Sequence, residues 1–234
     1  MANLAIIPAR GGSKRIPRKN IKPFLGKPII VYSIEAALNS GLFDEVMVST
    51  DDKEIAEIAI KYGATVPFLR SGTNANDFAV LSDVVEEVLN NYSNLNKTFD
   101  SVCCLLPTAP FISAKKIRDA YQKLVDEKFE SVFPVVEFSF PIQRSLKKKN
   151  NKIEMVWEAH LNTRSQDLEP RFHDSGQFYW LMISSFLKEK KLFTSNSGAI
   201  VISALEAQDI DSQTDWALAE MKYKLLINNE KNNL

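Results

Sequence analysis

The stretch Leu4-Ala-Ile-Ile-Pro-Ala-Arg-Gly-Gly-Ser-Lys-Arg-Ile-Pro-Arg-Lys-Asn20 begins with a short apolar run that passes directly into a basic, glycine-containing loop. An apolar run of this length, bounded by turn residues, is typical of a buried parallel strand. Two similar runs follow at Glu45–Thr50 and Ser101–Leu106, and each of the three precedes a stretch with helical spacing. This alternation predicts an α/β fold, a doubly wound and mostly parallel sheet with helices on both faces.

The segments around these runs carry their own signals. Four stretches with apolar residues at helical spacing predict helices: 28–40, 52–62, 83–91 and 113–127. A fourth strand is expected over Val66–Leu69 and a further one over Ala199–Ile202. An amphipathic helix is expected over Asp215–Asn228, and Ser212 with Asp215 forms a capping-box-like start to it.

The alternation changes after residue 136. The segment Ser145–Trp157 predicts a β-hairpin with Asn150 and Asn151 at its tip, projecting from the main sheet. The lysines of this segment, 147–149, fit a solvated turn. We therefore expect one domain over residues 1–234, with residues 137–175 as an insertion.

Composition restricts the classes of function. Of the 234 residues, 29 are basic and 29 acidic, so no overall field draws the chain to nucleic acid or to an anionic membrane. The longest apolar runs fall short of a membrane span, and the first residues lack a signal-peptide core. Cys103 and Cys104 are adjacent within an apolar run and are expected to be buried thiols on opposite faces of a strand. We expect a cytoplasmic protein.

Charge is unevenly distributed. Residues 1–34 contain no acidic residue, while seven basic residues fall between Arg10 and Lys27. Backbone amides of Gly11 and Gly12 can approach an anion closely, and Lys and Arg side chains can neutralise phosphate oxygens. Because the loop follows the first strand, it lies where open α/β sheets bind ligands. These features favour a triphosphate site.

The basic loop differs from two common nucleotide-binding motifs. It lacks the Gly-Lys-Ser/Thr ending of a P-loop and the Gly-x-Gly-x-x-Gly of dinucleotide-binding folds. A solvated basic loop and a nucleic-acid patch stay open, although the loop has no aromatic residue on which a base could stack.

Several motifs together resemble those of one family. The loop Pro8-Ala-Arg-Gly-Gly-Ser-Lys-Arg-Ile-Pro-Arg-Lys-Asn20 is similar to the signature loop of the acylneuraminate cytidylyltransferases. Three later motifs agree in order: Asn162-Thr-Arg-Ser-Gln-Asp-Leu168, Phe172-His-Asp-Ser-Gly-Gln-Phe-Tyr179 and Gln208-Asp-Ile-Asp211. The middle two are similar to the pseudaminate branch. His173 and Leu106 stand where the sialate branch carries Arg and Gln.

The resemblance implies a nucleotidyltransferase fold, a homodimer and specific roles for residues. It assigns the nucleotide to nine residues: Arg10, Gly11, Gly12, Ser13, Lys14, Lys19, Asn20, Arg70 and Asp77. It assigns the sugar to six: Arg164, Gln166, Asp167, His173, Asp174 and Gln177. It assigns catalysis to Arg10, Lys19, Asp209 and Asp211, and magnesium to the last two. Residues 137–175 become the sugar-binding and dimerisation insertion.

The implied reaction joins CMP from CTP to a nine-carbon 2-keto acid sugar and releases pyrophosphate. Independently of the resemblance, Asp209 and Asp211 are two residues apart, so on an extended segment both carboxylates leave the same face and can share one ion. The sequence offers no Ser-His-Asp set, which favours direct attack by the anomeric hydroxyl on the α-phosphorus. Asp209 or a metal-activated hydroxide is the candidate proton acceptor. The pseudaminate, N-acetylneuraminate and legionaminate sugars, and a non-catalytic nucleotide-binding protein, are the alternatives.

Overall fold

The computed structural model of the chain describes residues 1–76 and 79–232. Its strands are β1 (Asn3–Pro8), β2 (Pro23–Phe24), β3 (Lys27–Pro28), β4 (Glu45–Ser49), β5 (Ser101–Leu105), β6 (Ser131–Glu137), β7 (Leu146–Lys149), β8 (Lys152–Met155), β9 (Phe172–Asp174), β10 (Phe178–Met182) and β11 (Ser197–Val201). Its α-helices are α1 (Ile30–Ser40), α2 (Lys53–Lys61), α3 (Leu81–Asn94), α4 (Ala114–Asp126), α5 (Ile183–Glu189) and α6 (Gln213–Asn232).

The main sheet has the strand order β11-β6-β10-β5-β1-β4, with β9 paired to β6. β1 runs parallel to β4 and β5, and β11 runs parallel to β6. β10 is antiparallel to both β5 and β6, and β9 is antiparallel to β6. Five strands therefore end at one edge of a mixed sheet, namely β1, β4, β5, β6 and β11. The antiparallel β10 begins at that edge. This edge positions the site.

Helices cover both faces of the sheet, as the alternation of strands and helices predicts. Ala5 and Ile7 of β1 face the side covered by α1, α2 and α4, while Leu4 and Ile6 face the side covered by α3 and α5. Because successive residues of a strand point to opposite faces, one buried strand feeds both cores. The adjacent thiols of β5 follow the same rule and are divided between the two cores. The predicted doubly wound α/β fold is confirmed.

Two features differ from the sequence predictions. Val66–Leu69 is not a strand, so that prediction is wrong. The segment follows β4 with two backbone hydrogen bonds at Thr65 and one at Arg70. Pro67 between them has no amide N–H to continue a ladder. β6, β9 and β10 were not anticipated as strands, and β9 and β10 make the sheet mixed because they run antiparallel to β6.

The last helix, α6, packs against the loop that precedes α1. Ser212 Oγ accepts from the amide of Asp215 at 3.2 Å, and Asp215 Oδ2 accepts from the amide of Ser212 at 2.7 Å, so the predicted capping box is confirmed. α6 then packs Trp216 and Ala219 against Phe24 and its buried neighbours. This packing holds the segment before α6 close to the first loop.

The predicted hairpin is formed by β7 and β8, which pair only with each other among the described strands. Asn150 and Asn151 both have positive φ, 47° and 62°, as a two-residue type I′ turn requires. A role in dimerisation stays a prediction. Within the described residues, no helix combines the length and apolar character needed to cross a bilayer.

Candidate active site

Two neighbouring cavities open at the edge where the parallel strands end. The loop cavity, about 450 Å³, is bounded by the basic loop after β1 and by residues 106–108 after β5. The β9 cavity, about 610 Å³, is bounded by β9, the start of β10 and residues 204–209. Leu106 lines both, so the cavities adjoin at the end of β5.

Six of the residues predicted to bind a nucleotide line the loop cavity: Arg10, Ser13, Lys14, Lys19, Asn20 and Arg70. Gly11 and Gly12 line an adjoining surface depression that shares Arg10, Ser13 and Lys14 with it. Asp77 lies outside the described residues.

The conformation of the basic loop is fixed by contacts with the N-terminus of α2. Arg18, with a φ of 54°, pairs with Asp52 through two hydrogen bonds of 2.5 and 3.0 Å. Asp52 also caps α2 by accepting from the amide of Ile55 at 3.0 Å. Hydrogen bonding by Arg18 holds the pKa of Asp52 below its ordinary value. One carboxylate thus joins helix and loop.

The two glycines have different environments. A Cβ on Gly11 would lie 2.7 Å from Asp52 Oδ2 and 3.0 Å from Asp52 Cβ, so this position admits no side chain without displacement. A Cβ on Gly12 would meet no described atom within 4 Å. The Gly11 amide donates to Asp51 Oδ1 at 2.9 Å, so a phosphate would have to compete with a carboxylate for this N–H.

Asn20 and Arg70 support the cavity walls. Asn20 is 7% exposed, and its Nδ2 donates to the carbonyl of Arg10 at 2.9 Å, which fixes the loop geometry. Arg70 is 8% exposed and donates to the side chain and the carbonyl of Ser49. Burial lowers the pKa of Arg70 from its ordinary value.

The basic loop meets the carboxylate segment directly. Lys19 Nζ lies 3.7 Å from Asp211 Oδ1 and donates to the carbonyl of Ile210 at 2.7 Å. Arg15 Nη2 lies 2.8 Å from the same Asp211 oxygen. The basic loop after β1 and the acidic segment before α6 therefore form a single charged wall.

Asp209 lies on the other side of this wall and lines the β9 cavity. Loss of hydration raises the pKa of Asp209, the nearby charge of Asp211 raises it further, and Lys19 acts in the opposite sense. The Asp209 side chain keeps contact with solvent. The two carboxylates are close enough to interact electrostatically.

Among the described residues, no group of three or more His, Cys, Asp or Glu side chains forms a metal site. Asp209 and Asp211 offer two carboxylates next to the basic loop. Magnesium is commonly held by one or two carboxylates together with water and substrate phosphates. The pair therefore fits a magnesium ion that arrives with a nucleotide, and does not fit an ion held by protein alone.

The β9 cavity contains part of the predicted sugar-binding set. His173 and Asp174 line it, and Tyr179 donates its hydroxyl to Asp174 Oδ2 at 2.5 Å. Gln177 is buried and donates to the carbonyl of Glu206 at 2.6 Å. Within the described part of the chain, the buried oxygens Ser175 Oγ and Gln177 Oε1 have no hydrogen-bond partner.

Four predicted sugar-binding residues line neither cavity: the buried Gln177, and Arg164, Gln166 and Asp167 of the insertion. Arg164 pairs with Asp167 at 2.7 Å, and these two residues and Gln166 are exposed or partly exposed around a short 3-10 turn of the insertion. None of them lines the cavities of the described chain. Their sugar-binding role stays a prediction.

Sequence reasoning missed other lining residues. Thr108 and Arg15 line the loop cavity, and Tyr179 and Lys222 line the β9 cavity. Arg15 lies within the basic run and could have been included on charge alone. Lys222 is one of several lysines on a terminal helix, and nothing in its local pattern marks it.

At the strand ends of this α/β sheet, a cationic loop meets a carboxylate pair. This arrangement defines the class of α/β nucleotide-binding proteins, here with a second, polar ligand cavity. The model of the Cytidylyltransferase family matches residues 4–230, so the chain belongs to that family.

Curated relatives agree over nearly the whole chain. A pseudaminic acid cytidylyltransferase of Campylobacter jejuni subsp. jejuni serotype O:23/36 is 44% identical over 226 residues, covering 96% of this chain and 97% of the relative. A CMP-N,N'-diacetyllegionaminic acid synthase of Legionella pneumophila subsp. pneumophila is 34% identical, covering 96% and 97%. The resemblance predicted from the motifs is confirmed.

A solved structure supports the fold. The structure of CMP:2-keto-3-deoxy-manno-octonic acid synthetase complexed with CTP aligns with a TM-score of 0.71. It covers 97% of this chain and 100% of its own at 18% sequence identity. At that identity the likeness concerns the fold alone.

Proposed function

We propose that this cytidylyltransferase joins CMP, taken from CTP, to a nine-carbon 2-keto acid sugar of the pseudaminate type and releases pyrophosphate. The observation that carries the proposal is the contact of Lys19, which lines the loop cavity, with Asp211 at 3.7 Å, two residues after Asp209, which lines the adjoining β9 cavity. The Campylobacter relative, a pseudaminic acid cytidylyltransferase at 44% identity over nearly full length, supports the choice of substrates.

The loop cavity suits the triphosphate. CTP brings about four negative charges at neutral pH, and transfer at its α-phosphorus requires those charges to be neutralised and the pyrophosphate to be held in line. Arg10, Lys14, Arg15 and Lys19 supply cationic groups along one wall. Asn20 keeps this loop in shape through its bond to the Arg10 carbonyl.

The carboxylate pair lies directly beside this cationic wall. We assign Asp209 and Asp211 to magnesium, which when bound would neutralise phosphate charge and help to orient the pyrophosphate. Lys19 and Arg15 flank Asp211 and hold its carboxylate toward the loop.

The acceptor sugar is assigned to the β9 cavity. Its anomeric hydroxyl would attack the α-phosphorus, forming the new P–O bond as the bond to pyrophosphate breaks. Asp209 faces this cavity and is the candidate proton acceptor. The unpartnered buried oxygen of Ser175, which lines the cavity, supports a polar ligand there.

Two residues bear on which sugar is used. Leu106 and His173 both line the β9 cavity and stand at the positions where the motifs depart from the sialate branch. Leu106 offers no side-chain hydrogen bond where the sialate branch has Gln, and His173 offers an imidazole where that branch has Arg. These differences favour pseudaminate over N-acetylneuraminate. A legionaminate acceptor is the second candidate, because the Legionella relative is 34% identical.

The test is a panel of free nonulosonic acids, each offered to the purified protein with CTP and magnesium. Pyrophosphate release and chromatography of the CMP-sugar are the two readouts. We expect the largest kcat/KM with pseudaminate. Turnover of legionaminate or N-acetylneuraminate at a higher kcat/KM would reassign the acceptor. Absence of product with every acid, alongside CTP binding by calorimetry, would favour a non-catalytic nucleotide-binding protein.

We further propose that the chain is a cytoplasmic homodimer. The insertion exposes several large apolar side chains that a lone protomer would leave in water: Phe140, Leu146, Ile153, Trp157 and Leu161. Sedimentation of the wild-type protein and of a Leu146→Lys, Ile153→Lys double variant checks this. The wild type should sediment as a dimer, and a monomeric wild type would exclude the proposal.

A further inference from the structure

The β9 cavity has an asymmetric charge distribution. Its described lining includes two carboxylates, Asp174 and Asp209, and a single Lys or Arg side chain, that of Lys222 on α6. His173 is the other basic group in the lining, and its Nδ1 lies 2.9 Å from the carbonyl of Asp174. An anionic ligand in this cavity must therefore be neutralised chiefly by Lys222.

Lys222 is held in place without a counter-ion. Its Nζ donates to the carbonyl of Ala204 at 3.0 Å and to the carbonyl of Ala207 at 2.7 Å. An ammonium group has three N–H donors, so two are used by backbone carbonyls and one is left for the cavity that the side chain lines. No described carboxylate forms an ion pair with it, and burial lowers the pKa of its ammonium group.

The proposed acceptor brings a negative charge of its own. In a 2-keto acid sugar the carboxylate is attached to the carbon that carries the anomeric hydroxyl. The carboxylate therefore enters with the nucleophile and approaches the negatively charged wall that contains Asp209. A cation on the same cavity wall would offset that repulsion.

We propose that Lys222 binds the carboxylate of the acceptor sugar and so selects acidic sugars over neutral ones. This assignment rests on the proposed function, because it places the acceptor in the β9 cavity. A purely structural role would be to fasten the turn at residues 204–207 ahead of Asp209. The two roles differ in their dependence on substrate charge.

The experiment compares an acid sugar with its primary amide, which keeps the shape and removes the charge. kcat/KM is measured for both with the wild type, with Lys222→Met and with Lys224→Met, a matched change at an exposed lysine of the same helix. We expect the wild type and Lys224→Met to prefer the acid by about 10- to 100-fold, the value of one charge-assisted hydrogen bond. Lys222→Met should lose most of that preference, with the KM for CTP unchanged.

A preference for the acid in Lys222→Met equal to that of the wild type would overturn the proposal, as would a wild type that does not discriminate. A structural role would lower turnover of acid and amide alike and leave their ratio intact. If Lys222→Met does not fold, Lys222→Gln provides the same comparison, and Lys222→Arg should retain the preference. Failure of the wild type to make any CMP-sugar would instead refute the proposed function.

Discussion

Gly11 offers the sharpest test of how the basic loop is held. A Cβ added at this position would lie 2.7 Å from Asp52 Oδ2, well inside van der Waals contact. Asp52 both caps α2 and pairs with Arg18, so it cannot move without weakening at least one of these interactions. Gly11→Ala is therefore expected to destabilise the protein and to displace the loop.

The magnitude follows from the two interactions at Asp52. Loss of a helix N-cap costs about 1 kcal/mol, and a partly exposed ion pair contributes about 0.2–1 kcal/mol. Replacing glycine by alanine also restricts the unfolded chain, which stabilises by about 0.4–1 kcal/mol wherever alanine fits. Gly12→Ala shares this last effect and meets no described atom within 4 Å, so it is the matched control.

The difference between the two variants should therefore be about 1–2 kcal/mol. For a chain of this size this corresponds to a Tm about 2–8 °C lower for Gly11→Ala than for Gly12→Ala. Differential scanning calorimetry gives the Tm values, and initial rates give the KM for CTP, which we expect to rise for Gly11→Ala. In an Asp52→Gly background the side chain that clashes with the new Cβ is absent. Gly11→Ala should then lower the Tm little more than Gly12→Ala does.

Equal Tm values for the two alanine variants would refute this reasoning. So would a cost of Gly11→Ala that is the same with and without Asp52. Either result would mean that the loop and the start of α2 are not joined through this carboxylate.

Three further predictions concern the same walls and core. The lowered pKa of Asp52 contributes stability that is present above the ordinary aspartate pKa and is lost as the pH falls through the folded-state pKa. The Tm advantage of wild type over Asp52→Asn should therefore shrink as the pH is lowered below the ordinary aspartate pKa, and a constant difference would contradict this prediction. Asn20→Ala leaves the Arg10 carbonyl without its side-chain donor, so the free energy of unfolding in urea should fall by about 1 kcal/mol. The KM for CTP should rise, and an unchanged KM would show that Asn20 does not support nucleotide binding. Burial raises the pKa of Cys104 to about 12, so neither Cys104 nor Cys103 should react with a thiol reagent until the protein unfolds. Rapid labelling of the native protein would contradict this prediction.

Much of the fold can be predicted from the sequence because its signals are local. Apolar runs bounded by turn residues identify β1, β4 and β5, and helical spacing identifies α1 to α4 to within a few residues. The hairpin tip at Asn150 and the capping box at Ser212 are also set by neighbouring residues. The segment at Val66–Leu69 shows the limit, because its apolar character is satisfied by packing and Pro67 prevents a ladder.

The sequence by itself determined the chemistry of the site: a cationic loop after the first strand and two carboxylates near the last helix. Only the tertiary structure decided that Lys19 and Asp211 lie 3.7 Å apart, that β10 runs against its neighbours, and that Lys222 lines the β9 cavity. Hydrophobic periodicity reports which face of an element is buried and says nothing about which distant element covers it. Contacts between residues nearly 200 positions apart depend on how the sheet and α6 pack together, and that packing decides which charges share a cavity.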